Sequence, residues 1–370
     1  YGSGGYNNST RVNGSVYATI RPYKGVSVEA TVNYSPTFGE RHSYGRKNGY
    51  WDYTTDTRYS NSDLSNASVS NTTSRNYYLS SEILARYTDT IGDHDFGVLF
   101  GYSAMEYRTW GWGVSKQGAT DWTLNDLGTY ETLSGSSSTA KNGWGLRSYF
   151  GRINYAYKNR YLFEANLRAD GSSRFGSNNR YGIFPSFSAG WKIHEERFME
   201  GTEDWLSNLK LRASWGKAGN NQGIGNYAWQ AVYATQNVVV DGAGSKGLYI
   251  SSLSNADLKW ETTATTDIGL DMGFFDNRLT AEIDYYRKNT TDILYTPTIY
   301  MTMGEVSGVP SNLGSVVNKG VELALNWKSR IGKDFSYYAG VNFSYNKNRV
   351  TKFKGDLIKT WTDGVYSNNL

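Results

Sequence analysis

The chain has 370 residues, with 38 Lys and Arg against 34 Asp and Glu and no basic cluster that would suit nucleic acid. It has no cysteine, which excludes a disulfide frame and any Cys-based metal site. A negative mean hydropathy and the lack of any apolar run of about 18 residues exclude transmembrane helices, but not a transmembrane β-barrel. Such a barrel hides the apolar half of each strand by alternation.

The chain opens in "YGSGGYNNST", a loop-like run that is no cleavable signal peptide. Period-two patterning then predicts about twelve strands. They fall roughly at 12–21, 25–35, 75–88, 95–107, 145–158, 160–170, 183–193, 208–217, 263–274, 277–289, 318–330 and 334–348. In the second, Val26, Val28, Ala30, Val32 and Tyr34 alternate with Ser27, Glu29, Thr31 and Asn33. In the last, Phe335, Tyr337, Ala339, Val341, Phe343 and Tyr345 share one parity, and polar or small residues hold the other. The only helical candidate is short, "EERFMEGTEDW" at 195–205.

Short and long connections alternate down the chain. "PYKG", "TIGDHD", "KNR", "DN" and "IGK" are tight, whereas 36–74, 108–143, 218–262 and 290–317 are long. A sandwich or propeller has no reason to sort loop length by parity. An up-and-down barrel does, with tight turns at one rim and large external loops at the other. The fold class read from the residues is therefore all-β, a transmembrane antiparallel up-and-down β-barrel. Aromatics form 15% of the chain, with 31 Tyr and 12 Trp, which fits girdles at the two membrane interfaces. The polar parity then faces a lumen, lined among others by Glu164, Arg168, Arg212, Asp267, Asp271, Glu282 and Glu322. The plainer reading of any one of these is a solvated wall with structural ion pairs.

Several stretches go beyond pattern. "RYLFEANLRADGSSRFGSNNRYGIFPSFSAGWKIHEERFM" (160–199) resembles the most distinctive block of the SusC/RagA-type TonB-dependent outer-membrane receptors. "LSNLKLRASWGKAGNNQGIGNYAW" (206–229), "NADLKWETTATTDIGLDMGFFDNRLTAEIDYYRKNTTDIL" (255–294) and "NLGSVVNKGVELALNWKS" (312–329) follow in the family's order. The resemblance implies a plug inside a 22-stranded barrel, a size associated with plugged transporters. It also implies import of glycans, oligosaccharides or peptides across the outer membrane of a Gram-negative, Bacteroidota-type cell. Import would be driven by the TonB complex beneath a SusD-like surface lipoprotein acting as a lid. No signal peptide, TonB box, plug or terminal aromatic strand is visible, so residues 1–370 are expected to be an internal portion of the barrel domain.

No cofactor, metal or catalytic grouping is expected. His42, His94 and His194 lie far apart in loops or turns. "GNNQGIG" (219–225) lacks the Lys-Ser/Thr of a phosphate loop, and "DGSSRFG" (170–176) reads as turn chemistry rather than a calcium loop. The long loops hold the better lead. Tyr50, Trp51, Tyr53, Trp110, Trp112, Trp122, Tyr130 and Trp229 are candidates to contact the solute or the lid. Flat aromatic faces stack on sugar C–H faces or peptide side chains while nearby amides bond polar groups. The plainer reading is that they pack on one another or on the interface. An aromatic-rich soluble or surface-attached lectin or adhesin is the alternative function. An outer-membrane hydrolase is the third, and no nucleophile–base grouping supports it.

Overall fold

The computed structural model describes residues 3–45, 50–59, 67–119, 124–134, 138–297, 308–353, 359–362 and 365–368. Strands in chain order are β1 (Gly4–Arg11), β2 (Gly14–Ile20), β3 (Val26–Gly45), β4 (Tyr50–Asp52), β5 (Thr57–Tyr59), β6 (Ser68–Ile91) and β7 (His94–Ala119). β8 (Tyr130–Leu133), β9 (Ser138–Tyr157), β10 (Tyr161–Ser172), β11 (Tyr181–Lys192), β12 (Leu206–Asn220), β13 (Val232–Val240) and β14 (Ala243–Ser252) follow. The last are β15 (Glu261–Phe274), β16 (Leu279–Tyr295), β17 (Ser311–Ile331), β18 (Phe335–Phe353), β19 (Lys359–Thr362) and β20 (Val365–Asn368). Among the described residues there is no α-helix, and 193–199 holds only two 3-10 turns.

Fourteen strands share one sheet in the order β1-β3-β6-β7-β9-β10-β11-β12-β15-β16-β17-β18, with β2 also on β3 and β8 on β7. Neighbours in the sheet follow one another along the chain, which is the up-and-down meander expected. Tight turns join β6 to β7 at Gly92 (φ +60) and β9 to β10 through Lys158 and Asn159, both at φ 52. Such left-handed residues match the right-handed twist of antiparallel strands. The long connections hold small hairpins of their own, β4–β5 and β13–β14.

Two expectations change. The opening run is not a loop: Gly4–Arg11 pairs with Tyr44–Thr37 of β3, and β2 continues along the same strand after a break at Val12–Asn13. The break is held by Val12 N donating to Pro36 O at 3.1 Å and by Ser35 donating to Asn13 Oδ1 at 2.5 Å. The strands are also longer than the patterning shows: β6 has 24 residues and β7 has 26. A tilted strand crosses a bilayer in about 9–11 residues, so these rise well beyond it.

By internal packing the chain divides into two units. The first comprises Tyr1–Ala18, Ala30–Glu82 and Ala104–Gly145, and its buried cluster is Ala67, Val69, Ala119 and Tyr130. The second comprises Thr19–Glu29, Ile83–Ser103 and Leu146–Leu370, with Phe175, Phe184, Ile224, Leu258 and Trp260 as its cluster. Neither core is large, because the apolar parity of the strands is not buried in protein. Phe163 is 52% exposed, Ile268 50% and Val341 64%. An exposed apolar face of this extent belongs against lipid.

Candidate functional site

Alternation sends one side chain in two of β10, β12, β15, β16 and β17 to the polar face of the second unit. Register then sets them in rows. Arg212 stands opposite Gly269, Gly269 opposite Asp284, and Asp284 opposite Glu322. Gly269 leaves the space in which the guanidinium lies flat across the sheet; a Cβ there would sit 2.6 Å from Arg212 Cζ and collide with Asp284. From that position Arg212 Nε donates to Asp271 Oδ1 at 2.7 Å and Nη2 to Asp284 Oδ2 at 3.0 Å. Nη1 lies 3.7 Å from Asp267. One cation thus holds three carboxylates, with Glu282 opposite Asp271 in the next strand.

Glu164 and Arg168 sit on the same face of β10. Glu164 accepts from Asn166 at 2.7 Å and lies 3.8 Å from Arg152. Arg168 donates to both oxygens of Asp170, at 2.7 and 2.9 Å, and to Ser148 at 2.9 Å, with its guanidinium over the Phe150 ring. A cavity of about 920 Å³ borders this face, lined by Asn154, Glu164, Ser188, Lys210, Arg212 and Asp267 among others. Asp267, Asp271 and Asp284 all face the Arg212 guanidinium, whereas Glu282 and Glu322 join them by register. Among the described residues no cluster of His, Cys, Asp and Glu could hold a metal ion.

The ends of the distinctive block have structural jobs. In the turn after β11, Glu196 accepts from Arg160 at 2.8 Å, from Trp191 at 2.9 Å and from the Tyr161 hydroxyl. The Tyr161 hydroxyl first, then the Trp191 indole, hold its carboxyl below the usual range. A depressed carboxylate contributes stability above its unfolded pKa and loses it as pH falls through the folded one. Hydrogen-exchange protection in 193–205, taken relative to the intrinsic rate at each pH, is therefore expected to hold at neutral pH and to fall as pH drops through the ordinary carboxylate range to below it. Glu196→Gln should lower that protection at neutral pH to about its acid level and erase the pH step. At the other end Phe175, Phe184 and Trp260 pack together, and Arg174 bonds Asn226 at 2.9 Å and Asn221 O at 3.0 Å.

The predicted loop aromatics do not form one group. Trp110 lies on β7, not in a loop, and its ring meets Tyr77, which meets Tyr34 in turn. That is the face of Val32 and Phe38, with Arg75 between Phe38 and Trp110. Aromatic and cationic side chains on the apolar parity mark a membrane-interface girdle. Trp112 follows on the same parity and is 53% exposed. Tyr130 is buried in the first unit's core. Tyr53 is exposed in the β4–β5 turn, and Trp229 is half-buried near Gly176, its indole N–H buried without a partner among the described residues. The side chains of Tyr50 and Trp51, and the whole of Trp122, lie outside the described residues.

On the opposite, polar face of the first unit Tyr78 meets Tyr107 at 4.6 Å between ring centroids and Trp144 at 6.2 Å. The sequence reading missed this trio. Its signal was parity: once β7 is continued past 107, Tyr107 and Trp110 must face opposite ways.

A long antiparallel meander with an apolar outer face and a charged inner one is the wall of a transmembrane β-barrel of the up-and-down kind. The sequence matches the family described as TonB dependent receptor-like, beta-barrel, over residues 1–369, and the chain belongs to that family, which places it in the cell outer membrane. It is 36% identical over 289 residues to the TonB-dependent receptor SusC of Bacteroides thetaiotaomicron, covering 75% of this chain and 28% of that protein. With the TonB-dependent receptor P26 of Formosa agariphila it shares 39% over 246 residues, 65% of this chain and 24% of the relative. The RagAB peptide importer in its closed-closed state superposes with a TM-score of 0.85 at 31% identity, over 96% of this chain and 38% of that one. The siderophore receptor PiuA of Acinetobacter baumannii shares the fold alone, with a TM-score of 0.53 at 14% identity. The chain spans about a quarter of the length of the curated relatives it matches.

Proposed function

We propose that the chain is one portion of a larger barrel domain in a TonB-dependent importer that takes up oligosaccharides or peptides and has no chemistry of its own. The superposition on the RagAB peptide importer, over nearly the whole chain, carries this reading. Two facts support the larger barrel. The chain covers only 38% of that importer, and among the described residues β18 ends the sheet without a second neighbour. An open edge cannot stand in lipid, where its backbone groups stay unpaired. A SusD-like surface lipoprotein is the proposed partner at the external rim, and the TonB complex the proposed drive.

Glu164, Arg168, Arg212, Asp267, Asp271, Glu282 and Glu322 are proposed to line the lumen. Tyr53 and Trp229 remain proposed contacts for solute or lid, with Tyr50, Trp51 and Trp122 as further candidates, while Trp112, on the outward parity of β7, is proposed for the lid alone. Trp110 is assigned to the lipid interface and Tyr130 to packing. The test is uptake. Deleting the gene for the full-length protein should abolish growth on its oligosaccharide or peptide, and loss of TonB should give the same defect. Unchanged growth across a broad panel of both, or partition of the native protein into buffer without detergent, would reject the importer in favour of a lectin or adhesin.

A further inference from the structure

We propose that the polar face of β3, β6 and β7 in the first unit is a binding track for an uncharged oligosaccharide, with Tyr78, Tyr107 and Trp144 as its stacking platform. The proposal rests on the importer reading only in placing this face beside the path of the solute.

The track is defined by parity, and contacts across the strands fix that parity residue by residue. Ser115 donates to the Ser70 hydroxyl at 2.9 Å, and Asn33 donates to the Ser80 hydroxyl at 3.2 Å. A Cβ at Gly113 would sit 3.1 Å from Thr72 Oγ1, and one at Gly39 would sit 2.5 Å from Ser74 Oγ. On β6 this face therefore carries Ser68, Ser70, Thr72, Ser74, Asn76 and Ser80 around Tyr78. From Thr109 to Gln117 of β7 it carries hydroxyls, an amide and glycines. Neither stretch has a charge; β3 adds the cation Arg41 between Asn33 and Gly45, and Arg11 of β1 reaches the same face by donating to Thr37 Oγ1 at 3.3 Å. The second unit's polar face, with Arg212 and its carboxylates, is quite different in kind.

A wall with no carboxylate along these stretches and only Arg11 and Arg41 as cations offers mainly hydroxyl and amide groups to hydroxyls. A peptide brings an ammonium terminus and cationic side chains that a wall with no carboxylate cannot pair, whereas a neutral sugar loses nothing by that absence. The aromatic trio supplies what sugars use in addition: flat, partly exposed faces for C–H stacking, preset by their packing on one another. The far end of the same face holds a recess of about 500 Å³ lined by Ser43, Ser68, Ser70, Ser115 and Ser134. From Ser68 to Tyr78 the strand rises about 33 Å, long enough for a chain of several sugar rings. Glycines at 39, 111 and 113 keep the wall low between recess and platform.

The test uses the full-length transporter purified with its partner lipoprotein. Calorimetry would titrate cellohexaose, maltohexaose, xylohexaose and mannohexaose, and in parallel hexa-alanine and a hexapeptide of alternating Lys and Asp. At least one saccharide is expected to bind. Tyr78→Ala and Trp144→Ala should each weaken it about tenfold, as loss of a stacked aromatic anchor does. Tyr78→Phe should retain most of the affinity, and Trp110→Ala, on the opposite face, should change nothing. If an alanine variant fails to fold, Trp144→Leu keeps the apolar volume without the ring and should show the same loss. Saccharide binding unchanged in the Tyr78 and Trp144 variants overturns the platform. Binding of peptides alone, or of no saccharide, overturns the track while leaving import of another solute intact, whereas absence of any uptake in native cells defeats the importer reading itself.

Discussion

Arginine at Ile268 or Val341 is expected to destabilise the full-length barrel by about 2–4 kcal/mol if each lies near the bilayer midplane. Both side chains are exposed on the apolar parity of strands whose opposite face is polar. In lipid an exposed guanidinium there has no counter-charge and no water. Arginine at Ser214 or Asn342, on the polar parity, should cost far less. Ser214 even stands opposite Asp267 in the register, so a cation there meets a carboxylate. Asp271 is not such a mild site, although parity alone makes it one: it accepts from Arg212, and arginine there would put two guanidiniums together. The measurement is a urea folding titration in lipid vesicles. Equal losses at both parities would mean a protein core on each side of the sheet and would reject the lipid assignment.

That asymmetry was legible in the sequence because lipid imposes a period of two on the membrane-crossing part of each strand. It gave the strands and their order, from Val26 to Tyr345. It failed at their upper ends for a physical reason. Ser68–Ser74 of β6 is polar on both parities and alternates little that hydropathy can register. Thr109–Gln117 of β7 alternates Trp110, Trp112 and Val114 with Thr109, Gly111, Gly113 and Ser115, in a glycine-rich run that reads locally as a loop. The same holds for Gly4–Arg11. Ending β7 near 107 turned Trp110 and Trp112 into loop residues and hid the opposed aromatic faces. The ion pairs were half legible: Arg212, Asp267 and Asp271 shared a parity, but only the register shows Gly269 clearing the way to Asp284. The Glu196 turn joins residues 36 positions apart, as Arg160 and Glu196 are, and no local pattern announces it.

Arg212→Met is expected to cost about 2–4 kcal/mol, below the upper range for breaking a fully buried pair because the lumen face is partly wet. The guanidinium is 31% exposed and its partners Asp271 and Asp284 are 23% and 21% exposed. Removing it leaves those two carboxylates and Asp267 facing one another without the guanidinium they share, with Glu322 opposite Asp284 adding a fourth negative group and Lys288 of β16 remaining as a cation that acts on Asp267. The loss is then mainly uncompensated charge rather than a lost contact. Two companion variants separate these causes. Arg212→Met combined with Asp271→Asn and Asp284→Asn should recover much of the stability, since neutral amides need no counter-ion. Arg212→Lys should recover less, because an ammonium is a point charge and cannot fork to both carboxylates. Gly269→Val keeps every charge and should still destabilise, since its Cβ occupies the space between the guanidinium and Asp284. If Arg212→Met proves neutral while Gly269→Val is costly, the row is a packing arrangement and its electrostatics are screened by the lumen water. If the triple variant is no better than Arg212→Met alone, the guanidinium acts through its stem packed on the strand wall, and the carboxylates are bystanders.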